Sequence, residues 1–126
     1  MTFTSLQTGS GRTEDGSQFS FWLAKSSDGV AISARTERRR SVARARGELN
    51  KQIKGAEVVV RGRKTNNQGE RVGERVAGCF PAKDQEKGRC VILWTDGSEF
   101  HILESASLPH LLAFEKKYYE TQTPDD

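Results

Sequence analysis

Arginine is the residue whose number and spacing in this chain suggest a surface that could do chemistry. Six arginines fall between Arg35 and Arg46 in the stretch "ARTERRRSVARARGE", and Arg61, Arg63, Arg71 and Arg75 recur along two later segments. A guanidinium stays charged and presents paired N–H donors that match a phosphate. Several on one surface would hold a polyanion with salt-sensitive affinity. The candidate anion or nucleic-acid surface is therefore Arg38, Arg39, Arg40, Arg44 and Arg46, joined by Arg61, Arg63, Arg71 and Arg75.

A helical wheel divides the first group. Val42, Ala45, Leu49 and Ile53 recur at spacings of three and four and predict a core-facing stripe. Arg40, Arg44 and Lys51 project about opposite to it, where any solvated helix carries charge. Arg44 and Glu48, and Glu48 and Lys51, are also spaced for local pairs worth a few tenths of a kcal/mol each. Arg38, Arg39 and Arg46 flank the stripe, so a wet helix face does not account for them. The block matches no helix-turn-helix, zinc-finger or aromatic ribonucleoprotein pattern.

A second constellation is apolar. Trp94, Ile92, His101, Leu103 and Cys90 fall on one face of an expected strand pair whose other face is also apolar, so an uncovered face there would be a protein interface, including that of a homodimer. Catalysis is not expected. The only other histidine, His110, opens a helix as a lone residue; no nucleophile, base and orienting group stand at a recognisable spacing; and the glycines of "TGSGRTEDGS" lack the strand and helix of a phosphate loop. No cofactor and no metal site is implied, since Cys79 and Cys90 are not accompanied by the Cys/His spacing of zinc ligands. The two cysteines are expected as reduced thiols on neighbouring strands, with a cross-strand bridge open to them under oxidation.

The elements that must position these groups follow from patterning. With 126 residues, 34% of them hydrophobic, and a net charge of +3, the chain predicts one α+β domain. Arg35–Lys54 holds eight basic residues against two acidic ones, +6, which leaves −3 for the rest. No apolar run is long enough to span a bilayer, so no membrane partner is expected and the compartment expected is cytoplasmic.

Residues 1–17 are read as a flexible lead-in, 18–119 as the domain and 120–126 as a flexible tail. Residues 18–34 predict a hairpin with Phe19, Phe21, Leu23, Val30, Ile32 and Ala34 inward. The basic helix follows, with Thr36 or Ser41 as N-cap and Gly55 beyond its end. A second hairpin flanks "TNNQG", with Val58 and Val60 on one face, Val72, Val76 and Phe80 on one face, and Arg61, Arg63, Arg71 and Arg75 opposite. A third turns at Asp96-Gly97, pairing Thr95 with Ser98 and Leu93 with Phe100. "SASLPHLLAFEKKYY" closes the chain as a helix. The order is ββ-α-ββ-ββ-α, a mainly antiparallel sheet of about six strands with two helices.

Two functions are compatible with this reading: a non-enzymatic domain whose arginines bind nucleic acid or another polyanion, and a protein-interaction or regulatory domain that meets an acidic protein or dimerises through the Trp94 face.

Overall fold

A computed structural model describes residues 2–66, 68–83 and 87–120. Seven strands form one antiparallel sheet: β1 (Phe3–Arg12), β2 (Gln18–Ser26), β3 (Ala31–Arg38), β4 (Glu57–Thr65), β5 (Arg71–Phe80), β6 (Arg89–Asp96) and β7 (Glu99–Ser105), in the order β1-β2-β3-β7-β6-β5-β4. Helix α1 (Val42–Ile53) joins β3 to β4, and α2 (Leu108–Glu115) follows β7 and runs into a π-helical turn, Lys116–Glu120. The α+β class and the two helices are as the patterning predicts. Residues 121–126, most of the expected tail, lie outside the described residues.

The seventh strand is β1, drawn from the segment read as a lead-in. Its composition hides it, because it is held by backbone pairing to β2 rather than by alternating apolar side chains. Two anchors fix it: Phe3 packs edge-on against Phe114 of α2, centroids 5.1 Å apart, and the Trp22 indole donates to the Ser5 hydroxyl at 2.9 Å. Gly9 and Gly11 pair with Phe21 and Phe19, whose rings lie over them; a Cβ on Gly9 would collide with the Phe21 ring.

Each helix covers one sheet face. Ala45, Leu49 and Ile53 of α1 bury Val76, Val91, Leu93 and Phe100. Leu111 and Phe114 of α2 bury Ile32, Ala34, Ala77, Ile92, Trp94 and Leu103 on the other face. Each large aliphatic chain removed from water in this way contributes about 1.5–3 kcal/mol. The Ser41 hydroxyl accepts from the Arg44 amide at 3.1 Å and starts α1 at Val42, and Gly55 ends it at φ 90°. Val42, the first helical residue, is thereby left exposed and drops out of the predicted stripe.

Three pairings correct the sequence reading. In β2–β3, Trp22 faces Ala34 and Ala24 faces Ile32, so these line the α2 core, while Phe19, Phe21 and Leu23 sit on the α1 side. In β4 a bulge between Val58 and Val60 reverses the parity of the strand. Arg61 therefore pairs with Val76 and Arg63 with Glu74, on the α1 face, while Arg75 lies on the α2 face. The β6–β7 turn uses Gly97-Ser98, with Asp96 opposite Glu99 and Leu93 opposite Ile102. Gly97 at φ 61° meets the positive φ that a tight hairpin turn demands. This register differs from the expected one by two residues, which preserves both faces; a shift by one would have exchanged them.

Cys79 and Cys90, directly opposite on β5 and β6, are joined as a disulfide with Cα atoms 4.0 Å apart.

Candidate functional site

The predicted arginines do not form one surface. Arg39 turns inward, its guanidinium bonded to Glu37 and, at 3.2 Å, to Glu48, with Asp15 at 3.8 Å. It ties the end of β3, the flank of α1 and the β1–β2 turn together. Arg38 lies on the α2 side of the sheet and pairs with Glu99 at 3.2 Å, and Arg40 donates to the Asp15 carbonyl at 3.0 Å. Arg75 forms a bidentate pair with the buried Glu115, at 2.6 and 2.8 Å, which pins α2 to β5. Arg71 stands exposed at the far end of the β4–β5 hairpin, opposite Thr65.

The structure does bring helix and hairpin arginines together at one place. Glu74 receives Arg46 from α1 at 3.6 Å and Arg61 from β4 at 3.2 Å, Arg61 also reaches Asn50 of α1 at 2.8 Å, and Arg63 is the register partner of Glu74. Two cations thus meet one carboxylate, with Arg63 on the neighbouring strand. On the opposite flank of the helix, Arg44 and Lys51 stand four residues before and three after Glu48 and share its side. Arg44, Lys51, Lys54 and Arg63 are all exposed and form no ion pair among the described residues.

The Trp94 face is covered from within the chain. Trp94, Ile92 and Leu103 are buried beneath α2, so they are not available to a partner. His101 stacks flat on Trp94, centroids 4.8 Å apart, with Nδ1 2.9 Å from the Thr36 hydroxyl and Nε2 3.4 Å from Glu99. Burial pushes its pKa down; Glu99 and Asp96 oppose that shift and Lys64 adds to it. Beyond His101 the sheet opens into a shallow groove of about 470 Å³ lined by Arg12, Gln18, Ser20, Thr36, Arg38 and Glu99.

One arrangement has the residue types of a hydrolase. His110 Nδ1 is 2.6 Å from the Ser107 hydroxyl and its Nε2 is 2.9 Å from Asp28. In the fold the three residues act as a tie. The Ser107 oxygen caps α2 by accepting the His110 amide, and Asp28 belongs to the β2–β3 turn, so the chain of bonds fastens that turn to the helix start. None of the cavities at the arginine-lined groove, the Asp15 turn or the Leu23 patch is lined by Ser107, His110 or Asp28. The Ser26 hydroxyl first, and then His110, hold the Asp28 carboxyl below the usual carboxylate range.

The surface that sequence reasoning missed is the α1-side face of β1–β3. α1 packs over β5, β6 and β7, and among the described residues no element covers Phe19, Phe21 and Leu23. Arg35 pairs across the strands with Phe21, and its guanidinium carbon stands 4.2 Å from the centre of the Phe19 ring. A signal for this patch was present in the element count. Strands lie about 4.8 Å apart, so even the expected six-stranded sheet is about 24 Å wide. One helix about 10–12 Å across cannot cover it. Among the described residues no helix is long and apolar enough to cross a membrane, and no cluster of His, Cys, Asp or Glu is able to bind a metal ion. A scan against protein-family models and searches of curated proteins and of solved structures returned no match to this chain.

Proposed function

We propose that this domain binds nucleic acid, without catalysing a reaction on it, through the cationic α1 side of the molecule. The observation that carries the reading is how charge is divided there. Glu37, Glu48 and Glu74 are drawn against Arg39, Arg35, Arg46 and Arg61, while Arg44, Lys51, Lys54 and Arg63 remain exposed without acidic partners among the described residues. Exposed cations of this kind release counterions from a phosphate backbone, which makes affinity fall steeply with salt. Of the arginines singled out by sequence, Arg44, Arg46, Arg61 and Arg63 belong to this surface; Arg39 and Arg75 hold the fold together.

The test is a fluorescence-anisotropy titration of labelled oligonucleotides from 25 to 300 mM salt, with Arg44→Glu, Lys51→Glu and Arg63→Glu combined as the variant. Binding should weaken linearly in log salt, and the triple variant should lower both affinity and slope. Wild-type protein that binds neither single nor double strands at the lowest salt would end the reading. A protein-interaction role keeps one supporting observation: edge strand β4 exposes Val58, Val59 and Val60 in succession. Its readout is solution mass across concentration.

A further inference from the structure

We infer that the uncovered half of the sheet, on the α1 side of β1–β3, is a stacking site for the bases of single-stranded nucleic acid; this rests on the nucleic-acid reading above and specifies its ligand. Three features converge there. Phe19 and Phe21 are two positions apart on β2 and therefore stand side by side on one face, both half-buried, with each ring over a glycine of β1. The glycines matter: a side chain at position 9 would strike the Phe21 ring, so the backbone of β1 is what lets the aromatic rings lie down on the sheet. Arg35, held by Glu37 at 2.6 Å, lays its guanidinium over the Phe19 ring, 4.2 Å from the ring centre, and so becomes the top of that stack beside Phe21. The Phe21 ring and the guanidinium stacked on Phe19 form a surface on which any base can stack, because every base has a π-face.

Charge selects the occupant. The acidic groups nearest the rings, Glu37 and Glu48, are turned into the Arg39 cluster and are largely buried. The outward groups around the patch are mostly cations, with Asp15 beside Arg39 at one end and Glu104 paired to Arg89 at the other. Lys25 continues the Phe19–Phe21–Leu23 face of β2, and Lys87 and Arg89 line the cleft beside Leu23. A neutral protein surface would leave those charges unmatched, whereas a strand with splayed bases places phosphates against them. Duplex DNA offers phosphates and no exposed base faces, so the platform itself adds nothing to duplex binding.

The experiment compares four labelled probes of equal length, oligo-dT, oligo-U, an abasic oligodeoxynucleotide and a duplex, against wild type, Phe19→Leu/Phe21→Leu and Phe21→Trp. Leucine keeps apolar cover over the glycines while removing the aromatic face. The leucine pair should lose at least tenfold in affinity for oligo-dT and oligo-U, with the abasic and duplex affinities unchanged. Phe21→Trp should bind at least as tightly as wild type, and the emission of its added indole should be quenched by oligo-dT. If the leucine pair fails to fold, the quench in Phe21→Trp decides alone. Equal losses on all four probes, or no loss on any, or an added indole that oligo-dT leaves unquenched, overturn the platform while leaving the cationic reading intact. No binding by wild type to any probe overturns both.

Discussion

One row of residues crosses the α1 face of the sheet as Phe21, Arg35, Ile102, Leu93, Val76 and Arg61, and its two halves meet different fates. From Ile102 to Val76 the row lies under α1 and is packed like any core. Phe21 and Arg35 lie beyond the reach of the helix. The same strand chemistry, aromatic or β-branched residues on alternate positions, therefore serves stability in one half and remains available to a ligand in the other. Coverage by α1, rather than composition, distinguishes them.

Mutations at matched positions test that distinction. Arg75→Ala should be the most damaging, about 3–5 kcal/mol in urea unfolding, because it strands the buried Glu115 carboxylate beneath α2. Leu93 and Leu23 are the same residue type on the same face, one buried and one exposed. Leu93→Ala should cost about 2–5 kcal/mol, while Leu23→Ala should stay within about 0.5 kcal/mol. Equal losses would show that the bare half is packed after all. Reduction of Cys79–Cys90 should lower stability by about 3 kcal/mol, from the chain entropy returned to the unfolded state on opening a loop with a sequence separation of 11, and should leave oligonucleotide binding on the other face unchanged.

The smallest expected effect is on pH. His101 is held neutral by burial, so its folded pKa lies below its unfolded value. Its contribution is complete above pH about 6.5 and is lost as pH falls from there toward the folded pKa, since the unfolded chain takes up the proton first. His101→Asn should flatten that part of the stability profile, measured by denaturant midpoints between pH 7.5 and 5.

Much of the frame is legible in the sequence: both helices, the later hairpins and the division of β6 and β7 into two apolar faces follow from periodicity. The failures have physical causes. β1 is held by backbone bonds and two distant aromatic contacts, neither of which leaves a local pattern. The bulge at Val58–Val60 adds one residue and reverses every side chain after it, a reversal that alternation alone cannot register. The arginines mislead for a different reason. Arg46 flanks the helix stripe and meets Glu74 on β5, whereas Arg38 and Arg39 lie before the helix, at the end of β3, and meet acids on β7, β3 and α1. Arg44 and Lys51, which solvent alone explains, stay exposed and form no ion pair among the described residues. Where a cation's partner comes from a distant strand, only the fold reveals whether its charge is already matched.

Base stacking on the uncovered half of the sheet is tested most directly by mapping amide chemical shifts in the 15N-labelled protein as oligo-dT is added. Changes should concentrate on β1–β3, with the amides of α2 and the Lys116–Glu120 turn unmoved. Shifts confined to the α2 side, or to the groove beside Arg38 and Glu99, would contradict it.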